Sequence, residues 1–377
     1  VSLRLAKRVQ GIERTLIRQI FDTAPPDAIN LGLGQPDLAT PAVAALAGID
    51  GIARGKTSYT PTAGDPELRA AVARRYAPFA SGPENVVITA GSQEAMYAAM
   101  MVLADPGDEV LVPDPGYPAY ATVARLVGAR PVSYPLRADR GFRVDPEAIA
   151  SRLSERSRLV VLCSPSNPTG AIHRGSDLAE IAVLLERRGV AWLSDQVYET
   201  FVYGGSSPSP PETSRAGLVI SGLSKELSMT GWRIGWVVGE REAISRVTAC
   251  HQHLVTCAPS VSQAAALAAF GTQGRAARNE IATIFRRRRE LMAAELSGIG
   301  GIRFEPPDGA FYFFVDVSRF GPSLELARRI LDRHKVVTIP GVAFGTEGEG
   351  YLRLSFAATE DDIVRGVRAI AAELSRR

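Results

Sequence analysis

The amino-acid sequence predicts an α/β protein: a parallel sheet wrapped by helices, joined to a smaller α+β domain. Three observations predict it. Between about residues 85 and 240, short β-branched runs alternate with segments of helical period. Several of these runs end directly in small or polar residues, as strands that open onto a ligand crevice do. Beyond residue 240 the pattern turns helical through about Leu296 and then strand-like again.

The first group of runs occupies residues 86–89, 109–112, 130–134, 159–162, 190–193, 218–220 and 234–238. Ala90-Gly91-Ser92, Ser164-Pro165-Ser166-Asn167, Ser194-Asp195 and Ser221-Gly222 follow four of them. In open α/β sheets the carboxyl ends of strands line the ligand site, so this clustering already locates one. Residues 309–315 and 351–356 supply the later strands. The first forty residues end in the turn-rich Gly32-Leu33-Gly34-Gln35-Pro36-Asp37 and are expected to join that second unit. The expected division is a large α/β domain at 41–275 and a small α+β domain built from 1–40 and 276–377. The Ser/Pro stretch at 206–211 reads as a loop, and no internal repeat is evident.

At 377 residues the chain is long enough for two domains and a deep pocket. With 46% hydrophobic and 22% charged residues, it reads as a packed protein rather than a disordered or fibrous one. The formal charge of +3 is small, and the densest basic run, Arg286 to Arg289, reads as a solvated helix face, so no nucleic-acid partner is expected. Cys163, Cys250 and Cys257 are too few and too irregularly spaced for a disulfide framework or zinc site, which suits a reducing cytoplasm. The opening segment lacks an apolar core, and no later stretch reaches about 18 uninterrupted apolar residues, so neither export nor membrane insertion is expected.

Lys225 lies in Ser221-Gly222-Leu223-Ser224-Lys225, just beyond a strand, and Gly231-Trp232-Arg233 follows it closely. Asp195 ends a separate apolar strand. Most lysines are solvated and an aspartate at a strand end often caps the next helix, so neither residue alone indicates chemistry. Together they match a specific need. Pyridoxal chemistry takes a lysine amine to form an imine and a carboxylate to keep the pyridine nitrogen positive. An amine desolvated beside a cation loses its proton, and a buried carboxylate is tolerable when paired with the pyridinium. For the phosphate, Gly91-Ser92-Gln93 opens a helical segment whose free amides favour an anion, and Arg233 adds a positive fork.

The chain resembles the class I aminotransferases of the fold-type I pyridoxal-phosphate superfamily over nearly its whole length. The stretches that carry the resemblance are Gly34-Gln35-Pro36-Asp37, Tyr59-Thr60-Pro61-Thr62-Ala63-Gly64, Ala90-Gly91-Ser92-Gln93, Pro115-Gly116-Tyr117-Pro118, Ser166-Asn167-Pro168-Thr169-Gly170, Asp195-Gln196-Val197-Tyr198, Ser224-Lys225 through Gly231-Trp232-Arg233-Ile234-Gly235, and Arg353-Leu354-Ser355-Phe356. It implies a mostly parallel seven-stranded sheet, pyridoxal 5′-phosphate as cofactor, and an amino acid and a 2-oxo acid as substrates. It implies Lys225, Asp195 and Tyr198 as catalytic residues. By the same resemblance Tyr117 stacks on the cofactor ring, Asn167 and Tyr198 donate to its phenolic oxygen, and Gly91, Ser92, Gln93, Ser224 and Arg233 hold its phosphate. Arg353 is the expected grip on the substrate α-carboxylate, with Asn167 and the bare backbone of Gly34 beside it. Tyr59 is expected to reach the phosphate of a partner subunit, which makes the active site a property of a homodimer. Many relatives have a serine where Gly222 stands, so Ser221 and Ser224 both remain candidates for that contact.

Two rivals remain within the same fold: a lyase that eliminates a β-substituent, of the C–S lyase type, and a non-catalytic sensing domain, which the lack of a preceding DNA-binding segment disfavours. Aspartate or an aromatic amino acid is the expected donor, with pocket residues drawn from 12–20, the region of Tyr59 and 255–260. Three decoys fall away. Gly51 to Thr57 has one residue too few between its glycines for a phosphate-binding loop. His251 and His253 alternate on a helical segment, which aims them apart and argues against a metal site. Gly32-Leu33-Gly34 lacks the third glycine of a dinucleotide fingerprint.

Overall fold

The computed structural model describes residues 3–376; Val1, Ser2 and Arg377, which the expected small domain includes, lie outside the described residues. The chain lays down β1 (Ile29–Asn30), β2 (Val86–Thr89), β3 (Glu109–Asp114), β4 (Arg130–Pro135), β5 (Ser157–Cys163), β6 (Ala191–Asp195), β7 (Gly217–Gly222) and β8 (Gly235–Val238). After a long helical stretch come β9 (Tyr312–Asp316), β10 (Val336–Val337), β11 (Ile339–Pro340) and β12 (Tyr351–Ser355).

Strands β2 to β8 form one seven-stranded sheet in the order β2-β8-β7-β6-β5-β3-β4. Only β8 runs against its neighbours, β2 and β7; the other pairs are parallel. The β-branched runs seen in the sequence make this sheet because both of its faces are covered. Alternate residues enter opposite cores: Val160 and Leu162 pack on one side of β5, Leu159 and Val161 on the other. On β8, Trp236 and Val238 join the first core and Val237 the second.

This order also creates the crevice. The chain leaves β3 for β4 on one side, while β5 adds to the other side of β3. The loops after β3 and β5 therefore diverge, and a cleft opens at their carboxyl ends.

In the remaining part of the chain, β11, β12 and β9 form an antiparallel sheet, and β1 pairs in parallel with β10. That last pairing ties the N-terminal segment to residues 336–337. The helix Thr272–Ser297 runs unbroken through residue 275, so a single helix carries the chain across the expected division. Packing also crosses it: Phe201 meets Phe285 and Phe311 at ring-centroid distances of 4.9 and 5.5 Å.

One surface expectation fails here. Arg288, in the middle of the basic run, is buried and grips Asp37 through both guanidinium nitrogens at 2.5 and 2.9 Å. The helix turns that one side chain toward the turn-rich segment at 32–37, and the bidentate pair compensates its burial.

Candidate active site

A cavity of about 320 Å³ opens at the carboxyl ends of β5, β6 and β7. Lys225, Asp195, Asn167, Tyr198, Tyr117 and Arg353 all line it. Gly34, Ser92, Gln93, Ser224 and Arg233 complete the expected set within the same walls. Two expected residues lie elsewhere. Gly91 stands just outside as the residue before the helix Ser92–Leu103, and Tyr59 is 85% exposed on the surface.

Lys225 follows β7 in a tight turn, and its Nζ donates to the carbonyl of Gly34 at 2.7 Å. Burial, reinforced by the charges of Arg353 and Arg233, pulls its pKa down to about 8, against the opposing pull of Asp195. Asp195 is the last residue of β6 and is itself buried. Burial pushes its pKa up to about 6, although Tyr120 and the Val197 amide both donate to the carboxylate, at 2.8 and 3.2 Å. No arginine or lysine among the described residues lies at ion-pair distance from Asp195. A buried carboxylate in that state is suited to a cation arriving from outside the chain.

One end of the cavity is built by the start of the helix Ser92–Leu103. Gly91 before it has φ of +90°, a conformation glycine adopts without strain, and a Cβ there would strike the Arg233 guanidinium. Arg233 is exposed toward the opening, held by the carbonyls of Thr230 at 2.9 Å and Ala90 at 3.4 Å. The free amides of the helix start and this guanidinium face the same space, an arrangement that suits a phosphate. Of the two candidate serines, Ser224 lines the cavity, while Ser221 donates away from it to the carbonyl of Gln196 and toward Glu199, both at 3.1 Å.

Arg353, on β12, is only 2% exposed. It donates to Asn167 Oδ1 at 2.9 Å and to the carbonyl of Gly32, and its Nε has no partner. The guanidinium lies over the rings of Tyr312 and Phe344, 4.3 and 4.8 Å from their centroids. No carboxylate among the described residues pairs with it. A buried, uncompensated cation with an idle N–H is prepared for a carboxylate ligand.

Sequence reasoning missed two hydroxyls at this site. Tyr120 holds Asp195, but in the sequence it is one aromatic among the alanines of a helical segment. Tyr312 faces Tyr198, with 2.7 Å between their hydroxyl oxygens, yet it sits in a run of aromatics that reads simply as a core strand. It also explains Gly34: a Cβ at that position would collide with the Tyr312 hydroxyl. Thr15, Ile17 and Arg18 reach the cavity from the expected region 12–20, whereas nothing from 255–260 lines it. His251, read as an ordinary helix residue, is fully buried with its Nδ1 2.7 Å from Glu94 Oε1. Glu94 in turn accepts from the Ala90 amide at 2.8 Å, so the pair braces the turn into the helix Ser92–Leu103. Among the described residues no group of three or more His, Cys, Asp or Glu side chains is arranged to hold a metal ion. No helix among them is long and apolar enough to cross a membrane.

The likeness to known proteins runs the length of the chain. A family model described as aminotransferase class I and II matches residues 26–370. An aspartate aminotransferase from Pyrococcus horikoshii is 36% identical over 97% of this chain and 96% of its own length. A probable aspartate/prephenate aminotransferase from Aquifex aeolicus is 36% identical over 91% of this chain and 90% of its own. Among solved structures, the aspartate aminotransferase of Thermus thermophilus with maleate superposes with a TM-score of 0.93 at 31% identity, covering 99% of this chain and 100% of that one. The fold-type I architecture expected from the sequence is thus the one observed, and the chain belongs to the class I and II aminotransferase family and is a transaminase.

Proposed function

We propose that the chain binds pyridoxal 5′-phosphate in the cavity around Lys225 and uses it to move an amino group from an L-amino acid to a 2-oxo acid in a ping-pong sequence. The carrying observation is that a half-buried lysine, a buried carboxylate without a cation partner and a buried arginine without a carboxylate partner share one cavity. Each lacks what this cofactor or an amino acid substrate would bring. When bound, the cofactor supplies an electron sink for the pair released at the substrate α-carbon.

Lys225 would hold the cofactor covalently, and its Nζ moves the proton taken from the substrate α-carbon. Its lowered pKa leaves part of the amine neutral near pH 7, which both tasks require. Asp195 would pair with the ring nitrogen, and Tyr120 keeps that carboxylate aligned. Asn167 and Tyr198 would donate to the phenolic oxygen, and Tyr117 would cover the ring. Gly91, Ser92, Gln93, Ser224 and Arg233 would receive the phosphate, with Ser224 favoured over Ser221 because it faces the cavity. Arg353 orients the substrate by its α-carboxylate.

The names of the relatives favour aspartate or an aromatic acid as donor. A homodimer in which Tyr59 serves the neighbouring site belongs to the same proposal, supported by the exposure of that ring. A cytoplasmic location is proposed with it, supported by three unpaired cysteines. The test is a panel of amino donors with 2-oxoglutarate, read by keto-acid formation, on the chain reconstituted with pyridoxal phosphate. Acceptor-dependent product that vanishes in Lys225→Ala is expected. Pyruvate and ammonia released without any acceptor would replace this reading with the lyase.

A further inference from the structure

The pair Tyr198–Tyr312 joins the two parts of the molecule at the cavity. Tyr198 follows β6 of the large sheet, and Tyr312 begins β9, which pairs with β12, the strand that carries Arg353. Their hydroxyl oxygens are 2.7 Å apart, and both side chains are buried, 4% and 1% exposed. Each hydroxyl has one proton to donate, so the direction of this bond decides which is left over for a ligand.

Arg353 sets that direction. The Arg353 guanidinium lies 4.3 Å from the centroid of the Tyr312 ring. Burial raises the pKa of both phenols and Arg353 opposes it in both, but only the Tyr312 ring has the guanidinium over its face. A cation over its ring polarises a phenol toward giving up its proton, so Tyr312 donates and Tyr198 accepts. In the opposite arrangement Tyr198 would spend its one proton on Tyr312 and have none for a ligand in the cavity.

We infer that Tyr312 is a positioning residue: its hydroxyl donates to Tyr198 and so directs the Tyr198 proton into the cavity, while its ring seats Arg353. This rests on the reading of Tyr198 as donor to the phenolic oxygen of pyridoxal phosphate. A hydroxyl that accepts one hydrogen bond becomes a stronger donor in the next, so Tyr312 strengthens that contact without touching the substrate. A stronger donor at the phenolic oxygen draws negative charge from the ring and lowers the pH at which the Lys225-bound cofactor takes up a proton.

The test is the pH midpoint of the visible absorption band of the reconstituted protein, measured without substrate. Tyr312→Phe keeps the ring and removes the hydroxyl; the midpoint is expected to rise by about 0.5 to 1 unit. In a Tyr198→Phe background the same change is expected to add nothing, since its route is gone. Replacing Tyr312 alone with 3-fluorotyrosine, a more acidic phenol of nearly the same size, is expected to move the midpoint the other way and covers the case in which Tyr312→Phe folds poorly. For the ring, Tyr312→Phe should leave KM for the amino donor within about twofold, and Tyr312→Leu should raise it about tenfold. A midpoint unmoved by Tyr312→Phe or by the fluorinated residue, or an equal shift in the Tyr198→Phe background, overturns the inference. Absence of any visible band in the wild-type protein overturns the cofactor reading itself, and the inference with it; a normal band that ignores Tyr312 overturns the inference alone.

Discussion

Tyr120 donates a 2.8 Å hydrogen bond to Oδ2 of Asp195, and both side chains are buried. The bond is the main force opposing the upward push of burial on that carboxylate. With the Val197 amide, it fixes the orientation of Asp195, which has no basic side chain at ion-pair distance among the described residues.

Tyr120→Phe is therefore expected to push the Asp195 pKa further above about 6 and to leave more of it protonated near pH 7. A protonated aspartate pairs poorly with a pyridinium, so the Kd for pyridoxal phosphate should rise about 10- to 150-fold, the worth of one hydrogen bond to a charged group. Absorbance titration of the cofactor-free chain measures this directly. Unchanged affinity at pH 7 would show that Tyr120 has no hold on the carboxylate.

Lys225 should govern how fast the cofactor attaches. Only the neutral amine attacks a carbonyl, and with a pKa of about 8 roughly one amine in ten is neutral at pH 7. The attachment rate should climb about tenfold per pH unit up to about 8 and then level off. A rate that keeps climbing into the ordinary lysine range contradicts the lowered pKa. Stability carries the same signature. The folded chain holds this proton less firmly than the unfolded chain, so the cofactor-free protein gains stability as pH rises from about 8 toward the ordinary lysine range. Lys225→Met should accordingly raise the melting temperature of the cofactor-free protein at pH 7 and lose that advantage at high pH.

Arg353→Lys tests the carboxylate grip. Lysine keeps the charge but loses the planar fork and its stacking between Tyr312 and Phe344. KM for amino donors should rise on the order of 100-fold, with a smaller loss in kcat, as expected when a bidentate ion pair is reduced to a point charge. Steady-state kinetics on two donors sharing only the α-carboxylate decide it; a KM within threefold of the parent rules this role out.

Much of the site was legible because its markers are local. Lys225 and Asp195 stand at the ends of apolar runs, and Gly91-Ser92-Gln93 opens a helix, so strand and helix signals alone bring them to one edge of a parallel sheet. The alternation of runs fixed the seven strands for the same reason: a strand buried on both faces must be apolar throughout. The burial of Arg288 against Asp37 was not legible, since a run of four arginines carries no mark of which one faces inward.

The sequence by itself determined the fold class, the positions of Lys225 and Asp195 at or just beyond strand ends, and the family. Tertiary structure alone decided the environment that gives them chemistry. Tyr120 and Asp195 are 75 residues apart, Tyr198 and Tyr312 are 114 apart, and Arg353 and Asn167 are 186 apart. Periodicity reports which face of an element is buried, but a proton's affinity depends on what other elements place within a few ångströms of it and on how much water they exclude. Those distances are set only when the two parts of the chain close around the cavity.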